Sequence, residues 1–338
     1  MSFNTLGLSS ELKKAIEDKG YTYPSDIQLQ AIPSIIKGND IMARAQTGTG
    51  KTAAFALPIL QKFQKDESKR RRVRALVLVP TRELASQVGD SFRSYGHNLR
   101  FRTSTIFGVV RINTQIDKLR KGVDIVVVTP GRILDHLDRR TIELSELVVI
   151  VLDEADLILD MDIIRDIKKI LTNHPKKKQN LLFSATFQKE IKALADSLLN
   201  SPKRIEVASN NSTVDKVTQV VYPVDKARKR ELLTYCIKDE GWFQVLVFSR
   251  TKHGANKLAV QLNKEGIDAD AFHGNKSQAQ RTRALNDFKD AKTQVLVATD
   301  IASRGIDINL LPQVVNFDLP YVPEDYIHRI GRTAKAGQ

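Results

Sequence analysis

Ala45 to Thr52 read AQTGTGKT. A turn of this kind, ending in Lys-Thr, is suited to phosphate. Amides freed by Gly48 and Gly50 can wrap phosphate oxygens, Lys51 can neutralise them, and Thr52 can offer its hydroxyl to Mg²⁺. Gln46, Thr47 and Thr49 complete the candidate cradle. Ala45 stands where the general pattern has glycine, and a bare GKT also occurs in ordinary loops, so the turn needs a second half. That half should be acidic and should end a buried strand. Asp153 and Glu154 follow directly on LVVIVL. A carboxylate there is costly to bury without a cation or a hydrogen-bond partner. Asp153 therefore suits a Mg²⁺-linked role, and Glu154 suits a base that orients water. The two halves together point to nucleoside triphosphate hydrolysis.

These groups must be held by regular elements. RALVLVP at 74–80, DIVVVTP at 124–130, LVVIVLDE at 147–154 and NLLFSAT at 180–186 are short β-branched runs separated by helical patterns. Continuous apolar strands are buried on both faces, which predicts a parallel sheet sandwiched by helices. The rhythm recurs in QVLVFSRT at 244–251, the helical stretch around Ala255 to Leu262, and QVLVATD at 294–300. The fold class read from this is α/β with two lobes. The polar segment at 207–217 lacks periodicity and is the expected linker, leaving domains at 1–206 and 218–338. At about 150 residues per domain, 338 residues also suggest two. Basic clusters at 65–74 and 175–179 read as solvated loops.

Composition narrows the function. With 41% hydrophobic residues the chain is not of the disordered class. One cysteine, Cys236, excludes a disulfide-stapled scaffold and zinc held by Cys clusters, and favours a reducing compartment. The longest purely apolar stretch, Leu147 to Leu152, is far short of the roughly 20 residues of a spanning helix. The N-terminus lacks the pattern of a signal peptide. A cytoplasmic protein without a membrane partner is the expectation. A formal net charge of +14 implies a polyanionic partner, because cations gain free energy by releasing counterions from phosphates.

With DEAD at Asp153 to Asp156, the chain resembles the DEAD-box RNA helicases, close to the bacterial RhlE type. PTRELA at 80–85, TPGR at 129–132, SAT at 184–186, VFSRT at 247–251, ATDIASRGID at 298–307 and HRIGR at 328–332 stand in that family's order. The resemblance implies two tandem RecA-like domains of the P-loop NTPase kind that close over ATP and Mg²⁺ and bind RNA. By the same comparison Gln28 reads adenine, Phe3 packs over the base, and Asp307 contacts the ribose. An amide can pair with adenine's donor and acceptor edge at once. Pro80, Thr81, Arg82, Gly108, Thr129, Gly131 and Arg132 would bind RNA from the first lobe, and Arg250, Thr299 and Arg304 from the second. Such groups grip phosphates and sugars and ignore base identity. Ser184, Thr186 and His328 would couple hydrolysis to closure, and Arg332 would act as a finger on the γ-phosphate.

The chain departs from the pattern in places. HRIGRTAK carries Ala334 for glycine and Lys335 for arginine, which keeps the charge but loses the bidentate fork. Val109 replaces the second glycine of an RNA-contacting pair. Asp26, Leu157 and Asp162 take positions usually held by proline, arginine and glycine. The leading expectation is an ATP-dependent RNA helicase that separates short duplexes locally. A rival is an ATP-gated RNA clamp with weak hydrolysis, and a third is a DNA-directed translocase, separable by the 2′-hydroxyl. Single-stranded and duplex RNA are the expected partners, with proteins of RNA metabolism beside them. A site complete in one chain needs no second subunit, so a monomer is expected.

Overall fold

In the computed structural model of the chain, the described residues are 2–46, 48–64, 71–108, 110–160, 164–172, 175, 177–207, 217–303, 308, 311–321 and 323–333. The chain divides into two compact units, Met1–Ala208 and Ser209–Gln338. Apart from its two end residues, the expected linker at 207–217 lies outside the described residues.

The first unit holds seven strands: β1 (Ile41–Arg44), β2 (Ala75–Leu78), β3 (Thr103–Ile106), β4 (Ile125–Val128), β5 (Val149–Leu152), β6 (Gln179–Ser184) and β7 (Lys203–Glu206). They form one parallel sheet in the order β3-β4-β2-β5-β6-β1-β7. Its helices are α1 (Ser10–Asp18), α2 (Asp26–Ile36), α3 (Lys51–Gln64), α4 (Arg82–Tyr95), α5 (Ile112–Arg120), α6 (Pro130–Asp138), α7 (Ala155–Asp160), α8 (Ile164–Thr172) and α9 (Lys189–Leu198). Successive side chains of a strand face opposite sides. Val77, Val127, Val151 and Phe183 accordingly join one apolar cluster, and Leu76, Leu78, Val126, Ile150 and Leu182 join another. Both faces are thus covered, which is why these strands are apolar throughout. Phe183 anchors β6 by packing its ring 5.3 Å from that of Phe55 on α3.

The second unit has β8 (Val245–Phe248), β9 (Ala269–Phe272), β10 (Val295–Ala298) and β11 (Gln313–Asn316), parallel in the order β11-β8-β10-β9. Its helices are α10 (Lys229–Lys238), α11 (Lys252–Lys264), α12 (Gln278–Lys289), α13 (Asp300–Ser303) and α14 (Pro323–Ile330). Two clusters again flank the sheet.

Helix starts are fixed at the strand ends by capping. Thr81 Oγ1 accepts from Leu84 N at 3.2 Å at the start of α4, and Thr251 Oγ1 accepts from Gly254 N at 2.9 Å at the start of α11. Each such cap is worth about 1 kcal/mol. Pro130 opens α6 at a position where its missing N–H costs nothing.

Candidate functional site

In a parallel sheet the carboxyl ends of all strands lie along one edge, and ligands of such folds bind there. Along the first unit's edge the functional segments sort by strand order. β3, β4 and β2 are neighbours, and they lead into Gly108, Thr129–Arg132 and Pro80–Arg82. Next comes β5 with Asp153 and Glu154, then β6 with Ser184 and Thr186, then β1 with the phosphate loop. The acidic and SAT segments therefore stand between the candidate nucleotide segment and the candidate RNA segments.

The phosphate loop leaves β1 with Ala45 N donating to Ser184 O at 3.0 Å, so it is hydrogen-bonded to the SAT segment. Gly48 and Gly50 hold φ of 86° and 89°, the left-handed region that glycine enters without strain. A Cβ on Gly50 would lie 2.4 Å from Gln28 Nε2. Gln28 is buried, donates from Nε2 to Gly50 O at 3.2 Å, and accepts Ser25 N on Oε1 at 3.0 Å. Ser25 Oγ donates to Thr49 O at 2.7 Å. The expected adenine-reading amide is thus tied to the phosphate loop, and among the described residues these are its two side-chain bonds. Phe3, in a 3-10 turn at Phe3–Leu6, lies buried in the apolar cluster with Ile27 and Leu12.

Lys51 is only 6% exposed, and among the described residues its Nζ has no hydrogen-bond partner. Asp153 is buried as well, with Oδ1 accepting Glu154 N at 3.0 Å. Burial pushes the Asp153 carboxyl up to about 6; the Lys51 ammonium pulls it down, and the Glu154 carboxylate pushes it up. Glu154 turns the chain from β5 into α7 at φ 51°, an uncommon backbone for a non-glycine residue. A buried ammonium without an acceptor costs several kcal/mol or more unless a partner arrives. Phosphate oxygens supply that acceptor, and Thr52 and Asp153 are the few donors that a Mg²⁺ bound mainly through phosphates needs. The residues therefore fit a metal-bound triphosphate.

Ser184 is fully buried and accepts Thr186 N on Oγ at 3.3 Å, while Thr186 Oγ1 is buried with no partner among the described residues. In the candidate RNA segments, a Cβ built on Gly108 would sit 3.3 Å from Arg82 Nη2 and 3.8 Å from Arg132 Nη2, so these three residues converge. Arg132 Nη1 donates to Val110 O at 3.2 Å. Among the described residues nothing lies within 4 Å of a Cβ on Gly131, which is exposed. Thr81 spends its hydroxyl on the α4 cap, whereas Thr129 caps α6 without a side-chain bond.

In the second unit Arg250 follows β8 and is exposed, Thr299 follows β10 and is nearly buried, and Arg332 is buried just after α14. His328 falls within α14. Thr47, Arg304, Asp307 and Lys335 lie outside the described residues, as do Val109, Asp162 and Ala334.

Two groups went unread in the sequence. Arg329 forks onto Asp300 with Nε and Nη2 at 2.6 and 2.7 Å. From Nη1 it also donates to Asn316 Oδ1 and Asp318 O at 2.8 and 2.6 Å, and it stacks on Phe248. It ties the ends of β8, β10 and β11 together. Its place inside HRIGR was the available signal. In the first unit, His136 on α6 and Gln115 on α5 form a buried polar chain. His136 Nε2 lies 3.1 Å from Gln115 Oε1, and Gln115 Nε2 donates to Phe107 O at 2.9 Å. No motif announces that chain.

Fold and site together define a P-loop nucleotide-binding protein with two RecA-like units. The DEAD/DEAH box helicase model matches residues 25–194, and the helicase conserved C-terminal domain model matches residues 228–337. The chain belongs to the DEAD-box ATP-dependent RNA helicase family. It is 42% identical over 338 residues to the DEAD-box ATP-dependent RNA helicase CshA of Bacillus subtilis, covering 100% of this chain and 68% of that one. It is also 42% identical to CshA of Bacillus cereus, of whose length it spans 64%. Among solved structures, S. cerevisiae Dbp5 bound to RNA and ADP BeF3 matches with a TM-score of 0.87 at 32% identity, over 98% of this chain and 85% of that one. A DEAD box protein from the hyperthermophile Methanococcus jannaschii matches with a TM-score of 0.61 at 41% identity, over 100% and 91%.

Proposed function

We propose that this protein is an ATP-dependent RNA helicase whose RNA-stimulated ATP hydrolysis drives local, sequence-independent separation of short duplexes. The observation that carries this reading is the order of segments along the first unit's sheet edge. It sets Asp153, Glu154 and the SAT residues between a phosphate loop whose Lys51 ammonium lacks a partner among the described residues and the convergent Arg82, Gly108 and Arg132. The relatives' printed names and the RNA-bound likeness support it.

In this reading Lys51 neutralises the triphosphate and Thr52 and Asp153 hold Mg²⁺. A bound Mg²⁺ supplies charge neutralisation for the transferring phosphoryl group. Glu154 orients the attacking water, and Arg332 stabilises charge on the γ-phosphate. Gln28 selects adenine, Phe3 packs by the base, and Asp307 takes the ribose. Thr186 and Ser184 report the state of Asp153 to the rest of the chain, with His328 acting from the second unit. Arg250, Thr299 and Arg304 hold RNA there. The RhlE-type affinity rests on the motifs alone. We place the protein in the cytoplasm as a monomer that meets other proteins of RNA metabolism. Among the described residues no helix is long and apolar enough to cross a membrane.

Release of a labelled strand from a short RNA duplex tests the reading. ATP should release it, whereas a non-hydrolysable analogue should give no repeated turnover. Glu154→Gln should cut hydrolysis by a factor on the order of 10² or more while sparing ATP binding. Release that is indifferent to ATP, or equal on DNA of the same sequence, would sink it.

A further inference from the structure

Arg250 is exposed at the end of β8, yet its guanidinium is not loose. It stacks over the ring of Tyr321, 4.5 Å from the centroid, donates from Nη1 to Tyr321 Oη at 3.1 Å, and reaches Leu319 O from Nη2 at 3.4 Å. Its backbone N donates to Asp318 Oδ2 at 3.0 Å, which locks the two loops together. Two of five N–H donors are engaged. Among the described residues the guanidinium has no carboxylate partner, so a fixed cation keeps most of its hydrogen-bonding capacity for an anion. Tyr321 is 81% exposed although Arg250 covers part of its ring, so much of the ring meets solvent. Leu319 beside it is 63% exposed. Lys252, also exposed, adds charge at the same strand end.

A large aromatic left open beside held cations is the chemistry of a single-stranded nucleic-acid platform. The cation takes a phosphate, and the ring takes a base by its π-face, whatever the base. We propose that Tyr321 is a base-stacking site for single-stranded RNA, set next to the phosphate that Arg250 binds. This rests on the RNA reading above and adds to it a contact with a base where the others are contacts with backbone.

The test titrates the whole chain, with a non-hydrolysable ATP analogue, into a single-stranded oligoribonucleotide carrying 2-aminopurine, at several salt concentrations. Tyr321→Ala should weaken binding on the order of tenfold and abolish the quenching that stacking causes, while Tyr321→Phe stays within about twofold of wild type. Tyr321→Leu keeps apolar bulk without a π-face and should behave as Ala. The salt slope should hold in every Tyr321 variant, because stacking releases no counterion. Arg250→Gln should lower that slope by about 0.7. Tyr321→Ala binding as tightly as wild type, or losing slope as Arg250→Gln does, overturns the stacking site; the second result would make Tyr321 a mere prop for the cation. Wild type failing to bind RNA at all would instead overturn the RNA reading itself. Tyr321 is exposed, so its replacement removes little packing, and the Phe variant controls for loss of folding.

Discussion

Asp153 ends β5 with its carboxyl sealed from solvent, and burial outweighs the pull of the Lys51 ammonium, so the group is held at about 6. A carboxyl whose proton is bound more tightly in the folded chain than in the unfolded one stabilises the fold at low pH. That contribution is lost as pH rises through the folded value. In protein free of nucleotide and metal, Asp153→Asn should therefore gain on wild type as pH rises from about 4 to about 6, by at most about 1.4 kcal/mol per pH unit, and the difference should level off above that. Urea unfolding across that range measures it, and parallel profiles would show that Asp153 is not strained by burial. At this scale the sequence was readable where a residue's meaning is local. Lys51 and Thr52 sit in one turn, and Asp153 ends an apolar run. Arg329 carried only its place inside HRIGR as a signal and Tyr321 carried none, because each is held by a partner distant in sequence, Asp300 for one and Arg250 for the other.

The candidate RNA segments of the first unit are braced through helices as well as through the sheet, where Thr129 N donates to Ile106 O at 3.3 Å. Gln115 donates to Phe107 O and so presents its Oε1 to His136, which places the imidazole hydrogen on Nε2. Thr141 Oγ1 lies 2.7 Å from Nδ1 and 3.1 Å from the His136 carbonyl oxygen. Burial, with Arg132 and Arg139 nearby, lowers the pKa of His136, against the weaker upward pull of Asp135. A base whose folded value is depressed lends stability above its ordinary value, and that stability is lost as pH falls through it. The sign is opposite to that of Asp153. His136→Gln, which keeps a donor toward Gln115, should flatten part of the stability loss between about pH 7 and 5.5, by up to about 1.4 kcal/mol per pH unit. Melting curves of both proteins decide this; equal acid losses would refute it. His273 in the second unit is depressed as well, so some acid sensitivity persists. The strands divide by the same logic of surroundings. β2, β4, β5, β6, β8 and β10 lie inside their sheets and announce themselves as apolar runs. β3 and β7 edge one sheet and β9 and β11 the other. An edge strand is covered on fewer sides and mixes in polar residues, as KRIE and TSTI do, so no periodic signal marks it.

The proposed reading assigns the groups for both ligands to two units with separate cores. Lys51, Asp153, Arg82 and Arg132 belong to the first, and Arg332, Arg250 and Thr299 to the second. Neither unit carries a full set for ATP or for RNA on the proposed reading. If each ligand is gripped from both, each lowers the free energy of the arrangement the other needs, and linkage makes the effect mutual. The factor by which RNA tightens an ATP analogue must then equal the factor by which the analogue tightens RNA. Couplings of this kind run from about 5-fold to 150-fold. Fluorescent-nucleotide titrations with and without RNA, set beside RNA titrations with and without the analogue, should return one common factor in that range. Arg332→Ala should shrink it while leaving RNA binding without nucleotide in place, since Arg332 is assigned to the triphosphate. A factor near one in wild type would mean that the two ligands are held independently, and the proposed coupling of hydrolysis to strand separation would have no physical carrier.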